Sequence, residues 1–159
     1  MADVLVVEDD PDIRLLVTVA LEDAGHTVRQ ATDGASALLA IEGALPDAMV
    51  MDVMMPGLDG FGVLRHMTER GWLPRVRAML LTCKTEERDH ELGYELGACD
   101  YLTKPFDAEQ LITRVDAMIS ASDDDLAYRR REEIDRAQLL DRLEAAFKKQ
   151  QRQAATSAG

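Results

Sequence analysis

Short apolar runs alternate with stretches where apolar residues recur every three or four positions, five times over in residues 1–119. Val4 to Val7 form the first run and end in Glu8-Asp9-Asp10. Pro11 suits a first helical position with Asp10 as N-cap, and Ile13, Leu16, Val17, Ala20, Leu21 and Ala24 keep helical spacing up to Gly25. His26 to Gln30 predict a short, more polar strand at a sheet edge. Thr32 or Asp33 opens a second helix carrying Ala37, Leu38 and Ile41. Pro46-Asp47 leads into an uncharged run that ends on Asp52 and breaks at Pro56-Gly57, the pattern of a strand buried on both faces. Phe61, Leu64 and Met67 mark a third helix, and Val76 to Leu81 a fourth strand ending in Thr82. The next helix, about 85–96, has few apolar residues, chiefly Leu92 and Leu96. Tyr101-Leu102 is a brief strand before Lys104-Pro105, and Leu111, Ile112, Val115, Met118 and Ile119 give a strongly amphipathic fifth helix.

Strands and helices alternating at this pitch predict an α/β fold with helices on both faces of a parallel sheet. The flavodoxin-like, doubly wound order 2-1-3-4-5 fits best, because it puts the polar second strand and the short fifth strand at the edges. Residues 1–119 make one domain, and 120–159 a helical C-terminal tail. Ser122 followed by three aspartates reads as a helix start. Residues 126–150 lack Pro and Gly and carry an apolar stripe of Leu139, Leu140, Leu143, Ala146 and Phe147. Arg129-Arg130-Arg131 beside Glu132-Glu133 predicts a solvated, self-pairing face, and 151–159 are expected to be disordered. Dimerisation, packing on the first domain and docking of a partner all remain open for this tail.

A lone aspartate is usually solvated or a helix cap, so Asp52 gains meaning only from its company. A parallel sheet brings its strand ends to one rim, where this chain places Glu8-Asp9-Asp10, Asp52, Thr82 and Lys104. Strands one and three are neighbours, so Asp9 and Asp52 lie side by side. Carboxylates held together raise one another's pKa unless a cation neutralises them, and all-oxygen ligation suits Mg²⁺. An ammonium and a hydroxyl across the same pocket complete a site for a phosphoryl group, with Asp52 as nucleophile.

The motifs Val-Val-Glu8-Asp9-Asp10-Pro, Met51-Asp52-Val-Met-Met-Pro56-Gly57, Leu-Leu-Thr82 and Gly97-Ala-Cys-Asp-Tyr101-Leu-Thr-Lys104-Pro105-Phe106 stand in one order and spacing. Together they resemble the receiver domain of two-component response regulators, whose fold the single-domain chemotaxis regulator shares. The resemblance implies that Asp52 accepts a phosphoryl group from a histidine kinase or phosphotransfer protein. It implies that Asp9 binds Mg²⁺ directly and Glu8 largely through water, with the Met54 backbone carbonyl completing the protein ligands. Thr82 would turn its hydroxyl toward the phosphoryl oxygens, Lys104 would pair with one, and Tyr101 would swing inward after Thr82. The Lys104-Pro105 bond would be cis. The surface of the fourth helix, fifth strand and fifth helix would change on phosphorylation, its thinly anchored fourth helix shifting at low cost. That change would govern a downstream protein partner or a homodimer.

Departures from the family pattern carry their own expectations. Cys83 stands where the family usually has Ala or Gly, so it could narrow access or make the site oxidisable. Cys99 replaces a common acidic residue without functional consequence. An apolar Met54 orders water poorly and Lys84 adds charge at the rim, which together predict slow phosphoryl hydrolysis. The chain reads as a switch rather than an enzyme, with weak self-phosphorylation from small phosphodonors and self-dephosphorylation. An aspartyl phosphatase would usually carry a second acid two residues after its nucleophile, where Met54 stands.

Composition narrows the remaining classes. The 159 residues carry a net charge of −12, and 120–159 hold eight acids and eight bases, so the excess lies wholly in the first domain. No basic stripe suggests direct nucleic-acid binding. No apolar run approaches a membrane span, and no signal-peptide layout precedes the first strand; the expectation is a cytoplasmic protein without membrane contact. Two cysteines make neither a disulfide framework nor a metal spacing. A tail of some 40 residues is too short for an ordinary winged-helix domain, so the alternative to a stand-alone regulator is the N-terminal piece of a longer one.

Overall fold

The computed structural model describes residues 1–83 and 87–158, the first two of the second stretch by their backbone alone. Lys84, one of the expected tuning positions, lies outside them. Five strands, β1 (Asp3–Val7), β2 (Thr27–Ala31), β3 (Ala48–Asp52), β4 (Arg77–Thr82) and β5 (Asp100–Thr103), form one parallel sheet in the order β2-β1-β3-β4-β5. Among the described residues six helices accompany them: α1 (Pro11–Asp23), α2 (Gly34–Gly43), α3 (Gly60–Glu69), α4 (Glu87–Glu95), α5 (Ala108–Ser120) and α6 (Asp123–Ser157). Strand order and edge positions follow the sequence expectation. β2 begins one residue later than the apolar pattern suggests, since the His26 amide is taken up by the Leu21 carbonyl at the end of α1.

Alternation along the strands divides the core. Leu5, Val7, Met49, Met51, Ala78 and Leu80 pack with Ile41, Phe61, Leu64 and Met67 from α2 and α3. Val4, Val6, Val50, Met79 and Leu81 point the other way, toward Val17 and Leu21 of α1 and Leu111 and Val115 of α5. Strands buried on both faces are apolar at every position for this reason. Caps stop and start the helices as read: Asp10 accepts from the amides of Asp12 and Ile13, Asp33 and Asp107 close capping boxes, and Ser122 caps α6.

α6 takes one of the courses left open for the tail, packing on the domain, and departs from expectation in length. Leu126 joins the α1/α5 layer and Ile134 the α2/α3/α4 layer, so the helix crosses the open edge of the sheet beside β5. Between those anchors Arg130 donates to the Ala98 carbonyl, and one turn beyond Ile134 Ala137 is buried. Covering an edge strand with a helix removes a pairing hazard. The arginine run is therefore not merely a solvated face, because its middle member reaches onto the domain. The pattern predicts an end at Gln150 and disorder beyond it, but α6 continues to Ser157. Gln, Arg and Ala are good helix formers, and extending an existing helix carries no nucleation cost.

Arg77 fastens the junction of the two parts. Its Nη1 donates to the carbonyls of Met118, Ile119 and Ala121, and its Nη2 pairs with Asp123 at 3.1 Å. The end of α5 and the start of α6 thus share one guanidinium, which satisfies carbonyls that helix ends leave orphaned. Arg77→Met is expected to lower unfolding free energy by about 2–3 kcal/mol, the scale of hydrogen bonds to a charged group. Urea melts of the two proteins check this.

Candidate functional site

Register brings the expected residues to one rim. Val7 pairs with Met51 and Asp52 with Leu81, so the residues just beyond β1 and β4 flank the end of β3. Thr82 pairs with Thr103, and the Lys104 amide donates to the Thr82 carbonyl. The Lys104–Pro105 bond is cis. Glu8, Asp9 and Asp52 each offer a carboxylate oxygen, and these atoms lie within 4.8 Å of one another. Glu8, Asp52 and Thr82 are buried, while Asp9 is exposed at the mouth. Lys104 Nζ stands 3.2 Å from Glu8 Oε2 and 3.3 Å from Asp52 Oδ2.

The loop after Asp52 is shaped by close backbone approach. A Cβ at Gly60 would stand 2.8 Å from the Asp52 carbonyl oxygen and 2.9 Å from Val53 Cα, so only glycine lets α3 start against the end of β3. The Met54 amide donates to Asp52 Oδ1 at 3.2 Å, fixing the carboxylate. The Met54 side chain points outward at the rim. Asp10 serves as the α1 cap and stays out of the cluster.

Burial raises the Glu8 carboxyl above its ordinary value, and the Asp52 charge adds to this, against an opposing pull from Lys104. Burial also acts to lower Lys104, but the Asp52 and Glu8 carboxylates outweigh it, so its pKa is raised. The three acid oxygens fit a small hard cation. Ligands of octahedral Mg²⁺ at about 2.0–2.1 Å stand some 3–4 Å apart, within the span found here. Glu8 and Asp9, with Asp52, would hold the ion.

A pH dependence follows from Glu8. Folded protein retains its proton above the ordinary glutamate range, so without metal, stability falls as pH rises through that range toward the raised value. A proton on Glu8 also competes with the cation. Mg²⁺ affinity measured by calorimetry is therefore expected to climb with pH, by at most about tenfold per unit for one proton. It levels off once Glu8 is ionised.

Tyr101, expected to swing inward, already lies inside at 5% exposure. Its hydroxyl donates to the Asp89 carbonyl, and its ring stacks on His90 at 4.4 Å. Room for it comes from Gly93 of α4, where a Cβ would sit 2.1 Å from the Tyr101 hydroxyl oxygen. Sequence reading misses this partnership, because a helical glycine gives no sign of an aromatic on another strand. Burial pushes the Tyr101 phenol well above its usual value, with the nearby Asp89 adding to the shift.

An apolar surface adjoins the cluster. Ile13, Leu16, Cys83, Lys104, Pro105 and Phe106 line an apolar depression of about 380 Å³, and Leu15 and Val19 of α1 are exposed nearby. Cys83 is exposed and unpaired with another cysteine; Cys99 is buried, and burial pushes its thiol up. Away from the cluster, at the start of β5, Arg129, Glu132 and Glu133 of α6 face Tyr94, Asp100 and Arg114 across a small cavity. The surface of α4, β5 and α5 is thus the one that α6 lies on, and α4 is covered rather than thinly held.

The profile of the family described as "Response regulator receiver domain" matches residues 4–116. The transcriptional regulatory protein TcrA of Mycobacterium tuberculosis is 42% identical over 116 residues, which are 72% of this chain and 45% of TcrA. Protein PilH of Pseudomonas aeruginosa is 36% identical over 76% of this chain and 99% of its own length. The chemotaxis protein CheY4 of Vibrio cholerae superposes with a TM-score of 0.71 at 33% identity, over 74% of this chain and 98% of CheY4. A structure of NtrX from Brucella abortus reaches 90% of this chain and 29% of NtrX, at TM-score 0.67 and 28% identity. That coverage carries the likeness into α6. The chain spans about half the length of the curated transcriptional regulators it matches.

Proposed function

The chain belongs to the response regulator receiver family, and from that premise we propose that phosphorylation of Asp52 by a histidine kinase or phosphotransfer protein switches its output surface. Receiver domains interact with histidine kinases, and they act as signalling switches rather than classical enzymes. The observation that carries the assignment to Asp52 is the meeting of three carboxylates with one ammonium around a buried strand end.

An Asp52 carboxylate oxygen attacks the phosphorus as the bond from phosphorus to the donor histidine nitrogen breaks, and the donor ring, protonated on its other nitrogen, keeps the bonding electron pair and leaves as neutral imidazole. The exposed apolar residues of α1 and the depression beside Lys104 give the donor a surface to dock on. Mg²⁺, when bound, supplies charge neutralisation for the transferring group. Glu8, Asp9, Asp52 and the Met54 backbone carbonyl are its assigned ligands. Lys104, held between Glu8 and Asp52 before transfer, pairs with a phosphoryl oxygen afterwards, and the Thr82 hydroxyl turns toward another. The product adds roughly one negative charge at a buried place. Output then passes through α4, β5 and α5, with Tyr101 reporting the change and α6 lying across it.

We assign residues 1–119 to the receiver unit and 120–159 to the accessory tail. No helix among the described residues is long and apolar enough to cross a membrane. A second reading, a receiver cut from a longer regulator, is favoured by the roughly half-length coverage of TcrA. Immunoblotting for the native protein's size separates the two.

Intact-mass spectrometry after acetyl phosphate and Mg²⁺ tests the switch. One phosphoryl unit is expected on the wild type, and none on Asp52→Ala or with chelator. Equal labelling of Asp52→Ala refutes the assignment. The exposed Met54 side chain offers attacking water no hydrogen bond, so Met54→Asn is expected to shorten the phosphoryl lifetime, measured by loss of that mass increment.

A further inference from the structure

We propose that α6 is a brace on the switch: it holds α4 against β5, so that Tyr101 stays inward without a phosphoryl group, and docking of α6 and phosphorylation of Asp52 reinforce each other. The brace stands on geometry alone, while its link to Asp52 rests on the switch proposed above. Much of the pocket around Tyr101 comes from α4. The Asp89 carbonyl takes its hydroxyl bond, His90 stacks on its ring, Gly93 leaves it room, and Tyr94 tilts against it at 5.5 Å. Tyr101 therefore keeps its place only while α4 keeps its own.

α4 in turn leans on α6. Among the described residues it packs more extensively on α6 than on any other element. Ile134 of α6 joins the apolar cluster that contains Tyr94 and Tyr101. One turn earlier, Arg130 donates to the Ala98 carbonyl at 3.3 Å, and its Nη2 lies 3.9 Å from Cys99 Sγ, just ahead of β5. Glu132 and Glu133 face Tyr94 across a small cavity. Contacts thus run without a break from α6 through Tyr94 to Tyr101. An element with few other anchors is one that two sites can bias. Docked α6 and phosphorylated Asp52 favour the same inward Tyr101, so each raises the other's equilibrium by the same factor.

Arg130→Ala/Ile134→Glu in the full chain tests both parts, with Arg130→Ala alone as the milder check; circular dichroism should hold for each. Cys99, buried against Arg130, reads docking by its rate of alkylation, and peptide mapping separates it from exposed Cys83. Nitration with mapping reads Tyr101. In the unphosphorylated double variant both residues should react about tenfold faster than in the wild type, the scale of one buried aliphatic side chain. A Cys99 that stays protected overturns the brace. So does a reactive Cys99 beside a protected Tyr101, for α6 then only covers an edge. Acetyl phosphate and Mg²⁺ test the link, on protein whose intact mass shows one phosphoryl unit. Tyr101 of the variant should regain its protection, and Cys99 of the wild type should react more slowly still. Unchanged or faster alkylation of the wild type overturns the mutual reinforcement. A phosphorylated variant whose Tyr101 stays reactive contradicts the Asp52 switch and leaves the brace standing.

Discussion

Lys104→Met is expected to slow phosphoryl uptake by about 10²–10³-fold, the cost of removing one preorganised electrostatic partner from a reacting site. In the resting protein the Lys104 ammonium lies within 3.3 Å of two buried carboxylates. Removing it leaves Glu8 and Asp52 facing each other with nothing between them. Breaking a buried pair by deleting one partner costs on the order of 3 kcal/mol, so the variant should also unfold more easily at neutral pH without metal. Added Mg²⁺ restores the neutralisation, and the gap in stability should shrink. The sign with pH is fixed by the raised Lys104 pKa: the ion pair's contribution is whole below the ordinary lysine value and is lost only as pH rises through the raised one. At the acid end the gap closes as Glu8 takes up its proton. Denaturant melts across pH, with and without Mg²⁺, together with the rate of mass gain from acetyl phosphate, check both parts. Uptake within tenfold of wild type would deny Lys104 its role.

Gly93→Ala is expected to expel Tyr101 from its pocket although it changes no group at the acidic cluster. The new methyl would fall 2.1 Å from the hydroxyl oxygen and 2.6 Å from ring carbons, and the ring can yield only by turning outward. That forfeits the hydroxyl bond to Asp89 and the stack on His90, with burial worth about 2–3 kcal/mol. Nitration followed by peptide mapping separates the outcomes. Tyr128 is exposed and should react in both proteins, whereas Tyr101 should react only in the variant. Its phenol, freed from burial, should titrate lower than in the wild type. A Tyr101 that stays protected would mean that α4 moves instead of the ring.

Order and site were legible because parallel strands of four or five apolar residues announce themselves, and their ends collect at one rim. The aspartates, Thr82 and Lys104 could thus be assembled before any coordinates. What stayed hidden depends on contacts between elements distant in sequence. Arg77 is a lone base at a strand start, with nothing local to tie it to carbonyls past residue 117. Gly93 and Tyr101 lie on different elements, and their fit is a matter of packing. The tail misleads most, since its clearest apolar stripe, Leu139 to Phe147, is exposed. Its docked face is written in Leu126, Ile134 and Ala137, spaced among charges. Glutamine and alanine beyond residue 150 looked like a fraying end but extend the helix.

Borohydride reduction of the phosphorylated chain converts an aspartyl phosphate to homoserine, and peptide mapping then names the residue. The product is expected at Asp52, in the peptide that continues through Val53 and Met54, and only when Mg²⁺ was present. Reduction at Asp9 or Asp10, or at no carboxylate, would contradict the switch built on Asp52.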